Sequence, residues 1–334
     1  MSRPTARAVH LVARPTGAAT AEQFAFVEER VPALESGEAL VENLYQSVDP
    51  YMREEMDEGG WDLHAPLEGR TLGRVVESRT DALPVGALVF HRQAWRTHAV
   101  VTPERAHLLP VFDGVPLSNH LSVLGGTGLS AWVGLTRIAR FQPGESIFIS
   151  AAAGGVGTAA GQLARLLGAG RIVGSAGSAA KAARLVDHLG FDAAFDYHDA
   201  PLADRLREAA PDGLDVYFDN VGGDHLEAAI GALRDHGRIA WCGAVAQYDD
   251  LRNPPAAPRN LYDVVGKSLR LEGFLVRNHL DARPELYDFL VPHLRSGAVV
   301  AEETVVDGFD RVVDAFLGVM RGANTGKMIV HLAD

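Results

Sequence analysis

Residues 145–157, ESIFISAAAGGVG, set an apolar run against a bend of glycine and alanine. Val156, Ala160, Leu163 and Leu167 then follow at helical spacing. A strand, a turn nearly free of side chains and a helix are the context that a dinucleotide fingerprint requires. The backbone comes close to a pyrophosphate there, and the helix N-terminus offers free N–H groups and a positive dipole end. Aligned to G-x-G-x-x-G, the bend reads Ala152-x-Gly154-x-x-Gly157, so alanine stands at the first glycine position. Gly154 would let the backbone approach the pyrophosphate, and Gly157 would let the helix pack against the strand. A tight turn with no ligand would use the same residues.

The next strand end separates the two readings. NAD-dependent sites carry an acid roughly 20 residues on, bonded to the ribose 2′-OH. Here residues 174–184 read GSAGSAAKAAR, with no acid but with Ser178 and Lys181. A hydroxyl and an ammonium bind a 2′-phosphate that a carboxylate would repel. The pattern favours NADP over NAD.

Other chemistries are disfavoured. The chain has one cysteine, Cys242, so it forms no internal disulfide and is poorly equipped for a Cys/His zinc site. Its thirteen histidines contain no HExxH pair, and His91 and His98 read as structural. A net charge of −12 argues against nucleic acid or an anionic membrane as a general partner. The apolar run in residues 1–17 is broken by His10 and Arg14 and is too weak for a signal peptide. The long uncharged stretch 146–164 is too rich in Gly, Ser and Gln to span a membrane. These features predict a soluble cytoplasmic protein.

The elements that must position the bend follow from texture. Residues 38–48, 70–78, 86–90 and 96–101 are strand-like and separated by turn signals. Residues 118–141 read as helical. Beyond them, strand candidates at 146–150, 171–175, 192–196, 216–219, 238–242 and 269–275 alternate with helical segments, which predicts parallel βαβ units. The C-terminal stretch reads as a helix, a glycine-rich turn and a last strand that returns to the first domain. Residues 253–260, NPPAAPRN, form a proline-rich loop.

Six strings in order add a resemblance spanning nearly the whole chain: SVDPYMR (47–53), AAAGGVG (151–157), YFDNVGG (217–223), CGAVAQY (242–248), LEGFLV (271–276) and GANTGK (322–327). The sequence resembles the zinc-free branch of the medium-chain dehydrogenase/reductase superfamily, which holds alkenal, prostaglandin, leukotriene and curcumin reductases. That resemblance implies an α/β fold: a Rossmann-type doubly wound parallel sheet plus a GroES-like β-barrel. It also implies domains at 118–299 and at 1–117 with 300–334, and NADPH-dependent reduction of a carbon–carbon double bond conjugated to a ketone or aldehyde, without zinc. It carries cofactor roles onto Gly154 to Gly157, Lys181, Tyr197 on the adenosine side and Asn220. The run from Cys242, Gly243 and Ala244 to Tyr248 would pass the nicotinamide half, and Phe274, Leu275, Val276 and Asn324 would close its pocket. The chain departs from the family at Gly126-Thr127, where relatives often read Met-Pro. Substrate shape would be set there and by loops 54–69 and 249–260.

Reducing an enone builds negative charge on the carbonyl oxygen, so the protein must place donors there. Tyr248, beyond a strand end, and Tyr51, after Asp49-Pro50, are the donor candidates, since a phenol remains protonated at neutral pH. Arg53 would hold a substrate carboxylate or an inter-domain salt bridge. Asp219 is expected to serve a turn. The rival readings are a zinc-free quinone reductase and a non-catalytic NADPH-binding redox sensor. Segment 268–276 would be an apolar edge strand, which predicts a homodimer.

Overall fold

The computed structural model describes residues 5–249 and 253–332. Residues 250–252 of the predicted specificity loop 249–260 lie outside the described residues, as do the four N-terminal residues and the last two.

Three sheets are present among the described residues. The strands are β1 (Thr5–Leu11), β2 (Phe24–Arg30), β3 (Ala39–Ser47), β4 (Thr71–Ser78), β5 (Leu88–His91), β6 (His98–Val101) and β7 (Ala106–Leu108). Next come β8 (Ser146–Ile149), β9 (Arg171–Ala176), β10 (Ala193–Asp196), β11 (Leu214–Asp219), β12 (Leu233–Trp241) and β13 (Arg270–Gly273). The last two are β14 (Glu303–Asp307) and β15 (Lys327–His331). Strands β8 to β13 form one parallel sheet in the order β10-β9-β8-β11-β12-β13, the doubly wound Rossmann order. Its central strands are buried on both faces by helices, so they read as apolar runs rather than alternations. Ile147, Ile149, Leu163, Val216 and Phe218 belong to the core on one face, and Phe148, Val173 and Tyr217 to that on the other.

The second large sheet, barrel-like, runs β14-β15-β3-β4-β5-β7, with β6 also on β3. The last strand does return: β15 pairs antiparallel with β3, with Ile329 opposite Ser47. This register sets GANTGK directly beside SVDPYMR. The C-terminal helix Val312–Met320 seals the junction, with Phe316 edge-on to both Trp95 and Phe24.

Three expectations need correction. Residues 118–141 are not one helix: a short turn (Leu117–Leu121) precedes the α-helix Gly126–Val133, which loosens into a wider turn at Gly134–Ile138. Strand β12 begins at Leu233, five residues before the prediction, because a register shift and a left-handed His236 (φ 63°) absorb the charged RDHG segment. Strand β13 is only four residues long, at the sheet edge. Strands β1, β2, β7 and β14 were not predicted; charged residues on β1, β2 and β14 blur the period-two signal, and β7 is only three residues long.

Candidate active site

A cleft of about 1830 Å³ runs between the parallel sheet and the barrel-like sheet. Its floor is the predicted bend. Strand β8 ends at Ile149, and Ala151 takes a left-handed conformation (φ 46°) to turn the chain. Gly154 caps the helix Gly155–Leu166, whose first amides have no intrahelical acceptor. Gly157 is required by contact: a Cβ there would lie 2.5 Å from both the Ala151 carbonyl oxygen and the Ala152 Cα. The bend sits between β8 and β11, where the strand order reverses and open α/β sheets bind ligands.

At the end of β11, Asp219 is fully buried and organises a turn. Its carboxylate accepts from the Tyr217 hydroxyl (2.6 Å), the Val221 and Gly222 amides (2.8 Å each) and Ser150 Oγ (3.2 Å). Burial raises its pKa, opposed by these donors. Asn220 Nδ2 donates to the Ser150 carbonyl (2.8 Å), which fixes that residue against the bend. The turn role expected of Asp219 is the one it takes.

Past the end of β9, Ser178 and Lys181 take different places. Ser178 caps the helix Ala179–Leu189, accepting from the Lys181 amide at 3.3 Å, and its side chain does not line the cleft. Lys181 lines it, with Nζ donating to the carbonyls of Gly322 (2.5 Å) and Asn324 (2.6 Å). Burial lowers its pKa. Tyr197 stands half-exposed nearby, edge-on to His225.

At the opposite end, Tyr51 and Tyr248 face the same cleft from the two sheets. Tyr248 follows the short turn Val245–Gln247 beyond β12, and its hydroxyl lies 3.4 Å from the Ala244 amide, from which it accepts. Burial pushes its phenol up to about 12, so it stays protonated and can donate. Cys242 is likewise pushed up to about 12 by burial, and remains a neutral thiol. Tyr51 sits in the turn Pro50–Met56 with the Arg70 guanidinium over its ring at 5.4 Å. Burial raises its pKa, and the positive charge of Arg70 opposes the rise.

Of the other predicted residues, Gly154 to Gly157, Asn220, Cys242, Gly243, Phe274, Leu275, Val276 and Asn324 line the cleft; Ala244 does not. Arg53 takes neither predicted role. It is 2% exposed, and its guanidinium donates to the carbonyls of Gly17 and Asp249 and pairs with Asp57 on its own turn. It ties the turn carrying Tyr51 to the segment after Tyr248. His91 accepts from the Gln93 amide in the core, held neutral by burial.

The sequence reading missed a charged cluster. Lys327 is buried, with Nζ 3.2 Å from Asp49 Oδ1 and donating to the carbonyls of Val48 and Met328. Asp49 also accepts from Ser47 Oγ (2.6 Å) and lies 3.5 Å from Arg70. The Asp49 carboxyl is held below the usual range: burial alone would raise it, but Lys327 and Arg70 outweigh that. Asp49 and Lys327 both belong to strings in the sequence, yet 278 positions separate them, and only the β15–β3 pairing joins them. Among the described residues, no group of three His, Cys, Asp or Glu side chains is placed to hold a metal ion.

A doubly wound sheet facing a barrel across a glycine-floored cleft defines a nucleotide-dependent oxidoreductase. The chain matches the families described as N-terminal domain of oxidoreductase, over residues 7–109, and zinc-binding dehydrogenase, over residues 155–292. Prostaglandin reductase 1 of Mus musculus is 40% identical over 321 residues, 94% of this chain and 95% of that one. The 2-alkenal reductase (NADP(+)-dependent) of Nicotiana tabacum is 36% identical, covering 89% of this chain and 88% of its own length. The crystal structure of CurA in complex with NADPH from Vibrio vulnificus is similar with a TM-score of 0.91 at 30% identity, covering 98% and 99% of the two chains. The chain belongs to the medium-chain dehydrogenase/reductase superfamily, in its zinc-free prostaglandin and alkenal reductase branch.

Proposed function

We propose that the chain reduces the carbon–carbon double bond of α,β-unsaturated ketones and aldehydes with NADPH, by hydride transfer to the β-carbon. The observation that carries this reading is the placement of two protonated phenols, from two sheets, at one end of a glycine-floored cleft. The cleft fits the dinucleotide: the Gly154–Gly157 bend offers amides to a pyrophosphate, and no acid stands at the end of β9 to repel a 2′-phosphate. Lys181, Tyr197, Asn220 and Asn324 would hold it along the cleft. NADPH, when bound, supplies the hydride.

The chain's own residues do the rest. Tyr248, with Tyr51, donates to the substrate carbonyl oxygen, where enolate charge develops. Phe274, Leu275 and Val276 wall that end with apolar surface and limit water. Arg53 holds the tyrosine-bearing segments in register. No general acid is assigned to the α-carbon.

The test is isotopic. Deuteride from labelled NADPH should appear at the β-carbon of a saturated ketone. A label at the carbonyl carbon of an alcohol would contradict the reading.

The wider assignment divides the chain into a nucleotide unit, 118–299, and a substrate unit, 1–117 with 300–334. A homodimer is proposed on the apolar edge at β13, where Leu271 and Leu275 are exposed. A monomeric mass by light scattering at micromolar protein would refute it. No helix among the described residues is long and apolar enough to cross a membrane. A cytoplasmic location is proposed on that, the charge of −12 and the single cysteine.

A further inference from the structure

We propose that Glu54 is the acid that protonates the α-carbon once the hydride has reached the β-carbon. The proposal rests on the enone-reductase reading and supplies the proton that this reading leaves unassigned.

The reduction needs one proton on carbon, and its donor must face the substrate end of the cleft. Most groups there are committed elsewhere. Arg70 and Arg92 do not give up a proton. Lys327 spends its donors on Asp49 and on the carbonyls of Val48 and Met328. Asp49 is held ionised by Lys327 and Arg70 and only accepts. Burial pushes the Cys242 thiol and the Tyr248 phenol up to about 12, far from the operating pH where a general acid works best. Both phenols also serve the carbonyl oxygen. Three carboxyl groups remain: Glu54, Glu55 and the exposed Asp249.

The turn Pro50–Met56 selects among them. It is a 3₁₀ turn, in which side chains three apart eclipse one another. Glu54 therefore stands in the row of Tyr51. Glu55 falls in the row of Met52, which is packed in the core. Tyr51 and Glu54 line the cleft together, and from the opposite wall the Tyr248 phenol feels the charge of Glu54. Among the described residues, the Glu54 carboxyl has no hydrogen-bond partner and no ion pair. Burial raises its pKa, and the negative charges of Glu55 and Asp57 raise it further. Arg53, the cation of the same turn, is spent on Asp57 and on the carbonyls of Gly17 and Asp249.

The step balances within the cleft. With the phenols on the enolate oxygen, the enolate π pair takes the Glu54 proton. The carboxyl O–H bond breaks, the α-carbon C–H bond forms, and the ketone C=O is restored. The half-buried carboxylate regains its proton from solvent.

The experiment reduces a cyclic enone carrying a methyl group on its α-carbon, with deuterated NADPH, and reads the configuration at both carbons before the product racemises. The wild-type protein should give one α-configuration in large excess. Glu54→Gln should keep the face of deuteride delivery at the β-carbon and bring the α-configurations to about one to one, because water then supplies the proton. Glu54→Asp should keep part of the excess, and Glu55→Gln all of it. Infrared difference spectra of the NADP+-loaded protein, wild type against Glu54→Gln, read the carboxyl without turnover. They should show a protonated carboxyl that titrates above the ordinary glutamate value of about 4.3. Titration at or below that value would overturn the assignment. An α-excess that survives Glu54→Gln, or an equal mixture from the wild-type protein, would also overturn it and leave the reductase reading standing. Selectivity lost at both carbons would overturn it too, making Glu54 a positioning residue. Deuterium absent from the β-carbon would reject the reductase reading itself.

Discussion

The two ends of the cleft are built by opposite means. The glycine bend is made of neighbours in sequence: β8, the turn at Ala151–Gly157 and the following helix lie within one stretch, and Lys181, Tyr197, Asn220 and Asn324 join it from farther along the chain. The substrate end is made of side chains drawn from far apart. Asp49 and Tyr51 follow β3, Arg70 precedes β4, Lys327 opens β15, and Tyr248 follows β12. A backbone site tolerates most side-chain changes and fixes a cofactor. A side-chain site depends on a few charged and phenolic groups and fixes a substrate.

The sharpest way to break this contrast is to unpair the buried charge. Asp49→Ala leaves Lys327 buried without its partner, and the cost should be about 3–5 kcal/mol in urea unfolding. A loss below about 1 kcal/mol would mean the pair does not hold β15 against the SVDPYMR turn. Next, Tyr248→Phe should lower turnover by about a hundredfold while NADPH binding is kept. Unchanged turnover would remove Tyr248 from the chemistry. At the other end, Lys181→Ala should weaken NADPH by about 1.5–3 kcal/mol and leave NADH nearly unaffected. Equal losses for both would mean that Lys181 only braces the carbonyls of Gly322 and Asn324.

Per pH unit, the smallest effect is in acid. Burial drives His91, in the barrel-like sheet, down to about 3 and His225, beside the nucleotide half, down to about 4, from 6.5. Between those values the unfolded chain binds a proton that the folded chain refuses. Stability is therefore full above about pH 6.5 and declines as pH falls toward 4, by at most about 1.4 kcal/mol per pH unit for each histidine. His91→Gln should flatten one part of that slope and leave the part due to His225. A slope unchanged by His91→Gln would contradict the assignment.

The same contrast explains what was legible in the sequence. The bend, its helix and the alternation of strands are local signals, and the doubly wound order follows from them. Tyr248 and Tyr51 were found because they follow predicted strands, each after a short turn. Lys327 and Asp49 were quoted in separate strings, but their union needs the register of β15 on β3. Arg70 was not singled out because its place over the Tyr51 ring and against Gly126 is a contact that only the fold makes. Arg53 reads from sequence as a substrate ligand or an inter-domain salt bridge, whereas its acceptors are two backbone carbonyls and Asp57 of its own turn, which only the fold reveals.

The most direct measurement follows absorbance at the reduced-nicotinamide band, with purified protein, a simple α,β-unsaturated ketone, and NADPH or NADH in parallel. Rapid oxidation of NADPH with little of NADH is the predicted result. Tight NADPH binding with no oxidation would contradict the account, leaving a cofactor-binding cleft without the proposed chemistry.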